Sequence, residues 1–185
     1  MIKCVSRLIS TLSGKEEFGC DVSGIAIRRL PASRWEDYRR LRLTALGTDP
    51  AAFGSSVEEE ETYGMDAWQQ RIGSALFALS GDVPVGMISL VFRNRIKTSH
   101  AADIFGMFVD EHFRGKGVGE ALLKSAITLA SAGGEIVKIA LMVNPAQNAA
   151  FKLYEKHGFA VVGKLKKELK VDGLFHDTYV MEKFL

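Results

Sequence analysis

The chain has 185 residues, 47% apolar and 25% charged, with a formal net charge of +2. That length and composition suit one globular domain with a real core, and so small a charge argues against a nucleic-acid or membrane partner. The two cysteines, Cys4 and Cys20, make no disulfide framework and complete no Cys/His metal site, so they read as free thiols of a reducing, cytoplasmic compartment. The first residues contain no apolar run long enough for a signal core or a membrane span.

Residues 1–24 show no sustained period and read as a flexible leader outside a domain that spans 25–185. Residues 25–30 alternate up to Pro31 and predict the first strand. Ser33, with Glu36 three positions on, reads as a capping box opening a helix that carries Trp35, Tyr38, Leu41, Leu43, Ala45 and Leu46 to about Gly47. Residues 48–63 read as a loop or broken helix with the acidic run Glu58, Glu59, Glu60 and Glu61, followed by a short helix over 65–72. Strands over 75–80 and 85–92 flank Gly81-Asp82 as a hairpin.

A further strand over 100–109 leads into a glycine-rich turn. The amphipathic pattern of 118–132 (Leu122, Leu123, Ala126, Ile127, Leu129, Ala130) predicts a helix stopped by Gly133-Gly134. Continuous apolar character marks 136–143 as a buried strand, with Leu141 in the core. A helix over 146–157, with Leu153 on its core side, ends at Gly158. Strands over 159–170 and 174–184 close the chain through Asp172-Gly173, a pair suited to a turn with positive φ at both positions. The order implies an α/β fold of the α+β type: one mixed, mostly antiparallel sheet of about six to seven strands, flanked by about four helices.

Arg114-Gly115-Lys116-Gly117-Val118-Gly119 lies between a strand and a helix. Successive main-chain N–H groups and the helix dipole can converge there on an anion, and two cations lie beside it. A P-loop needs Ser or Thr after the Gly-Lys pair, and the dinucleotide fingerprint needs a different glycine spacing; neither is met. Alone, the turn fits plain architecture as well as a pyrophosphate site.

Downstream runs Asn144-Pro145-Ala146-Gln147-Asn148-Ala149-Ala150-Phe151-Lys152-Leu153-Tyr154-Glu155-Lys156-His157-Gly158-Phe159. Together the two segments resemble the GNAT superfamily of acetyl-CoA-dependent N-acetyltransferases, whose Arg/Gln-x-x-Gly-x-Gly/Ala turn binds the coenzyme A pyrophosphate and whose later helix lines the opposite side of a splayed acetyl-CoA cleft. Arg114, Gly117 and Gly119 fit the first pattern; Ala150, Leu153, Tyr154, Gly158 and Phe159 fit the second. The segment Pro50-Ala51-Ala52-Phe53 with its glutamates resembles the family's substrate-side loop.

The resemblance implies that the main chain of Met107, Phe108 and Val109 pairs with the pantetheine arm, one N–H stabilising the oxyanion. It implies that Arg114, Gly115, Lys116, Gly117, Val118 and Gly119 hold the pyrophosphate, and that Asn148 and Phe151 line the cleft. Tyr154 would be the general acid for the leaving thiolate. The family asparagine falls on Gln147 here, one residue before Asn148. A glutamate that some members use as base is replaced by Met142; Asp103 and the Glu58–Glu61 run remain, each readable as solvated surface charge. His100, His112, His157 and His176 are scattered without metal-ligand spacing, and no metal is expected. Asp177 reads as an edge charge. The implied reaction is direct attack of a primary amine (on a small molecule, a protein N-terminus or a lysine) on acetyl-CoA, in a monomer or homodimer. The alternative is an inactive CoA-binding sensor.

Overall fold

The computed structural model describes residues 24–185; of the leader expected over 1–24 all but Gly24 lies outside them, as do both cysteines. Seven strands form one sheet in the order β1-β2-β3-β4-β5-β7-β6: β1 (Ile25–Arg28), β2 (Ala75–Ser80), β3 (Val83–Phe92), β4 (Ala101–Val109), β5 (Lys138–Val143), β6 (Ala160–Val171) and β7 (Leu174–Phe184). All neighbours are antiparallel except β4 and β5, which are parallel because a helical crossover joins them. Among the described residues the α-helices are α1 (Trp35–Thr48), α2 (Val57–Glu60), α3 (Met65–Ile72), α4 (Val118–Ser131) and α5 (Asn148–Lys156). The single turn α2 lies in the stretch expected to be a loop or broken helix.

Each face of the sheet has its own core. On one side α4 and α5 cover Leu76, Ile88, Ile104, Ile139 and Met181. On the other, α1 and α3 cover Phe77, Leu79, Met87 and Phe108, with Tyr38 set edge-on to both Trp68 and Phe77 at centroid distances of 5.5 and 5.6 Å. The α1 residues that reach this core, Tyr38, Leu41, Arg42 and Ala45, follow helical spacing. The closing hairpin turns as its sequence requires, with φ of 49° at Asp172 and 80° at Gly173. Pro84 is tolerated within β3 because it sits beside a register shift against β2.

Two local expectations fail. The Ser33 capping box does not form: a 3-10 turn (Ala32–Arg34) precedes α1, no side chain caps the helix, and Glu36 and Asp37 instead place negative charge in its first turn. The acidic run is not uniformly solvated either. Glu60 is fully buried, receiving two hydrogen bonds from Arg42 Nε (3.2 and 3.0 Å), one from Arg42 Nη2 (2.7 Å) and one from Arg71 Nη2 (3.0 Å). Helical periodicity set Arg42 among apolar neighbours, but a four-residue glutamate run carries no period that singles out its third member.

Burial alone would raise the Glu60 carboxyl; the hydrogen bonds and charges of Arg42 and Arg71 outweigh it and hold the group below its ordinary value of 4.5. A depressed carboxyl adds stability that is complete above pH ~4.5 and is lost as pH falls through the lower folded value. Glu60→Gln is therefore expected to cost about 3–5 kcal/mol near neutrality by stranding two guanidinium groups. Thermal melts should also lose part of the wild type's acid sensitivity below pH ~4.5.

Candidate active site

β4 and β5 are paired only from Ala101↔Lys138 to Ile104↔Leu141. Beyond that point β5 stays on β7 as far as Val143↔Tyr179, while β4 stays on β3 as far as Gly86↔Val109, so the sheet opens into a fork. The cause is a bulge: Gly106 and Met107 oppose the single residue Ile88, between the pairs Ser89↔Phe105 and Met87↔Phe108. Gly106 has φ of 60°, and a Cβ there would lie 3.3 Å from Arg42 Nη1. A glycine inside an apolar run was the available signal for this bulge.

Strand alternation decides which main-chain groups face the fork. The Asp110 N–H bonds the Val85 carbonyl on β3. A trans peptide then points the Val109 carbonyl the other way, onto the open edge. The period of two turns the Phe108 main chain towards β3, while its side chain enters the core beneath the Arg114 guanidinium, 5.5 Å from the ring centroid. Of the three main-chain positions expected to meet a ligand, Val109 and Met107 face the fork by this alternation and Phe108 does not.

The glycine turn sits at the end of the splayed strand. Asp110 caps a 3-10 turn (Glu111–Phe113) by accepting from the His112 N–H at 3.0 Å. Gly115 and Gly117 then take φ of 74° and 81°, and Gly117 is the N-cap of α4. A left-handed residue at that place aims the free N–H groups of the first helical turn outward, ready for an anion. Val118 is buried in the core beneath, and a Cβ on Gly119 would meet Met107 Cε at 3.1 Å, which explains the third glycine as a packing requirement. The Lys116 ammonium lies 5.4 Å from the Phe113 ring centroid.

α5 forms the opposite wall. Tyr154 is buried, its ring edge-on to Phe159 at 5.8 Å, and its hydroxyl donates to Met107 Sδ at 3.3 Å. Burial raises the Tyr154 hydroxyl well above its ordinary range. Phe151 packs near Tyr179 at 5.7 Å, and Asn148 opens the helix on the exposed side. Lys156 ties α5 to α4 through Glu120 at 2.7 Å; hydrogen bonds from Lys156 and then Lys124 hold the Glu120 carboxyl down to about 2.

Two residues without an assigned role in the sequence close the top of the fork. Asp49 Oδ2 accepts from Arg114 Nη2 at 2.6 Å, and Asn144 Nδ2 donates to the Ala51 carbonyl at 3.0 Å. The short 3-10 turn Pro50–Ala52 is thus a strap anchored to the end of β4 on one side and the end of β5 on the other. Asn144 Oδ1 also accepts from the Ala146 N–H at 2.9 Å, an Asx turn that the Asn-Pro pair could have announced. Just below the fork, a pocket of about 560 Å³ has a floor of Phe105, Met142 and Val180 and a rim that includes Arg93, Asn94 and Arg95. Asp103 holds Arg93 through both oxygens, at 2.8 and 2.6 Å.

Residues 33–159 match the model of the acetyltransferase (GNAT) family. The chain belongs to the GNAT acetyltransferase family and is an N-acetyltransferase. It is 31% identical over 122 residues, 63% of this chain and 74% of the relative, to the L-amino acid N-acetyltransferase AaaT of Escherichia coli strain K12. Among solved structures, a GNAT-family acetyltransferase from Streptococcus pneumoniae superposes with a TM-score of 0.78 at 23% identity, over 87% of this chain and 99% of the other. The yncA structure from Salmonella typhimurium, with its cofactor acetyl-CoA, gives 0.74 at 19% identity, over 88% and 95%. These structural likenesses establish a shared fold. Among the described residues no helix is long and apolar enough to cross a membrane.

Asn144→Ala removes the anchor of the strap on the β5 side and the Asx turn beside it. Leaving the Ala51 carbonyl and the Ala146 N–H without their partners is expected to cost about 1–3 kcal/mol. Thermal melts should register that loss, with faster amide exchange confined first to residues 49–53.

Proposed function

We propose that the protein transfers the acetyl group of acetyl-CoA to the α-amino group of a small amino acid by direct attack. The observation that carries the cofactor part is the fork: an open β4 edge that runs straight into a helix N-terminus built on left-handed glycines. Its edge suits the extended pantetheine arm, pairing with Val109 and Met107. The N–H groups of the turn 115–119, with Arg114 and Lys116, suit the diphosphate. Asn148 and Phe151 would border the arm from α5. The acceptor part is supported by the likeness to an L-amino acid N-acetyltransferase and by the pocket below the fork, whose apolar floor and rim of Asn94 and Arg95 suit a small amphiphile with a carboxylate.

In this reading the neutral amine attacks the thioester carbonyl and an N–H on the open β4 edge near Val109 receives the oxyanion. Tyr154 serves the leaving group. Its hydroxyl already donates to a sulfur, Met107 Sδ, so the thioester sulfur would take over an existing donor. With a raised Tyr154 and a thiol near 8.5, complete proton transfer runs uphill, so the hydroxyl works chiefly as a hydrogen-bond donor to the forming thiolate. Asp103 and Glu60 are committed to arginines, and in this reading solvent takes the amine's proton.

Calorimetric titration with acetyl-CoA tests the cofactor. Binding in the micromolar range is expected for the wild type, lost in Gly117→Glu, where a carboxylate side chain would repel the diphosphate and strain a left-handed position. A folded wild type that binds no acetyl-CoA would refute the reading; binding without acetyl transfer to any of the common L-amino acids would refute the acceptor. Tyr154→Phe should lower kcat by roughly 100-fold, the low end for such a group because thiolates leave readily, and change acetyl-CoA affinity little. Because burial keeps this hydroxyl protonated beyond the pH ~10 at which a free tyrosine titrates, kcat should not fall between about pH 8 and 10. A fall there would count against Tyr154.

A further inference from the structure

Arg114 lies across the mouth of the fork. Its Nε donates to the Val109 carbonyl at 2.8 Å, the group that alternation leaves on the open edge, and its Nη2 is held by Asp49 at 2.6 Å. Any extended chain that adds to this edge meets the Arg114 side chain on the acceptor it needs. Among the described residues Asp49 is the carboxylate paired with Arg114, and both side chains are partly solvated, at 26% and 44% exposure, so the pair can open without unfolding anything.

We infer that Asp49 is a positioning residue that keeps Arg114 closed over the fork, so that the cofactor's arm competes with Arg114 for the Val109 carbonyl and its diphosphate draws the guanidinium off Asp49. The inference rests on the acetyl-CoA reading above. Asp49 also begins the strap: the Ala52 N–H bonds the Asp49 carbonyl and the Phe53 N–H bonds the Pro50 carbonyl. Releasing Asp49 therefore loosens the strap that spans the fork, and cofactor binding is coupled to the opening of that strap.

The sign of one mutation separates this role from a merely structural one. An Asp49 that supports the site weakens acetyl-CoA when removed; an Asp49 that holds a competitor strengthens it. Acetyl-CoA titrated into Asp49→Asn should bind about three- to fivefold more tightly than into wild type, the scale of a half-exposed ion pair, and the difference should shrink in high salt. Asp49→Glu, which restores the charge, should return affinity towards the wild-type value. Thermal melts verify that all three proteins are folded. Hydrogen exchange supplies the second measurement: acetyl-CoA should speed exchange at Ala52 and Phe53 in the wild type and leave the already faster exchange of Asp49→Asn unchanged. Equal or weaker binding by Asp49→Asn, or protection of Ala52 and Phe53 when cofactor is added, would overturn the coupling while leaving the cofactor site intact. Wild type that binds no acetyl-CoA would overturn both, and is told apart by that single titration.

Discussion

At Gly106 the backbone takes a positive φ, and β4 gains a residue relative to β3. The bend that follows carries β4 away from β5 while its bonds to β3 continue. A parallel pair that stops part-way exposes main-chain donors and acceptors on two facing edges, in the middle of a sheet rather than at its rim. Unsatisfied groups of this kind are costly unless water, a side chain or a ligand takes them. The molecule answers each in a different way: Arg114 covers the Val109 carbonyl, Asn144 fixes the strap at the end of β5, and the remaining opening suits the arm of a co-substrate.

The fork is also a mechanical seam. On one side of it, β1 to β4 are braced by α1 and α3; on the other, β5 and β7 carry the hairpin partner β6. α4 and α5 pack beneath both halves and keep them together, and Glu120 joins those helices through Lys156. Above, the short turn Pro50–Ala52 spans the gap, held by the Asp49–Arg114 bond at one end and the Asn144–Ala51 bond at the other. A structure joined by a continuous core below and by two polar contacts above has its adaptable part where a substrate would enter. That asymmetry follows from burial, since the Arg114–Asp49 pair above is partly solvated and the apolar core below is not.

Much of this was legible in the chain. The Asp172-Gly173 turn and the apolar stripe of α4 obey rules that act within a few residues, and the structure follows them closely. The glycine turn and the α5 segment were readable as a pair through their resemblance to the two GNAT motifs. What could not be read depends on partners distant in sequence. Asp49 and Arg114 are 65 positions apart and Asn144 and Ala51 are 93 apart, so neither contact leaves a local pattern. Ser33 failed as a cap because the chain first makes a 3-10 turn, and Arg34 is drawn aside to Asp37 and Asp82. Glu60 was indistinguishable from its neighbours in a glutamate run until the fold placed Arg42 and Arg71 beside it.

That buried cluster bears on why the segment between α1 and α3 has one definite position. An apolar replacement of the same volume can stabilise a protein as well as a buried ion pair does, so the charges need a reason other than stability. Apolar contacts tolerate sliding, whereas Glu60 accepts four hydrogen bonds whose directions are set by two planar guanidinium groups. The one-turn helix α2 is too short to hold itself, and this cluster locks it at a single angle against α1. Arg42 in turn lies against Phe53, 4.8 Å from the ring centroid, and reaches the bulge at Gly106. The carboxylate of Glu60 therefore aligns, through one arginine, the residue that ends the strap and the residue that opens the fork.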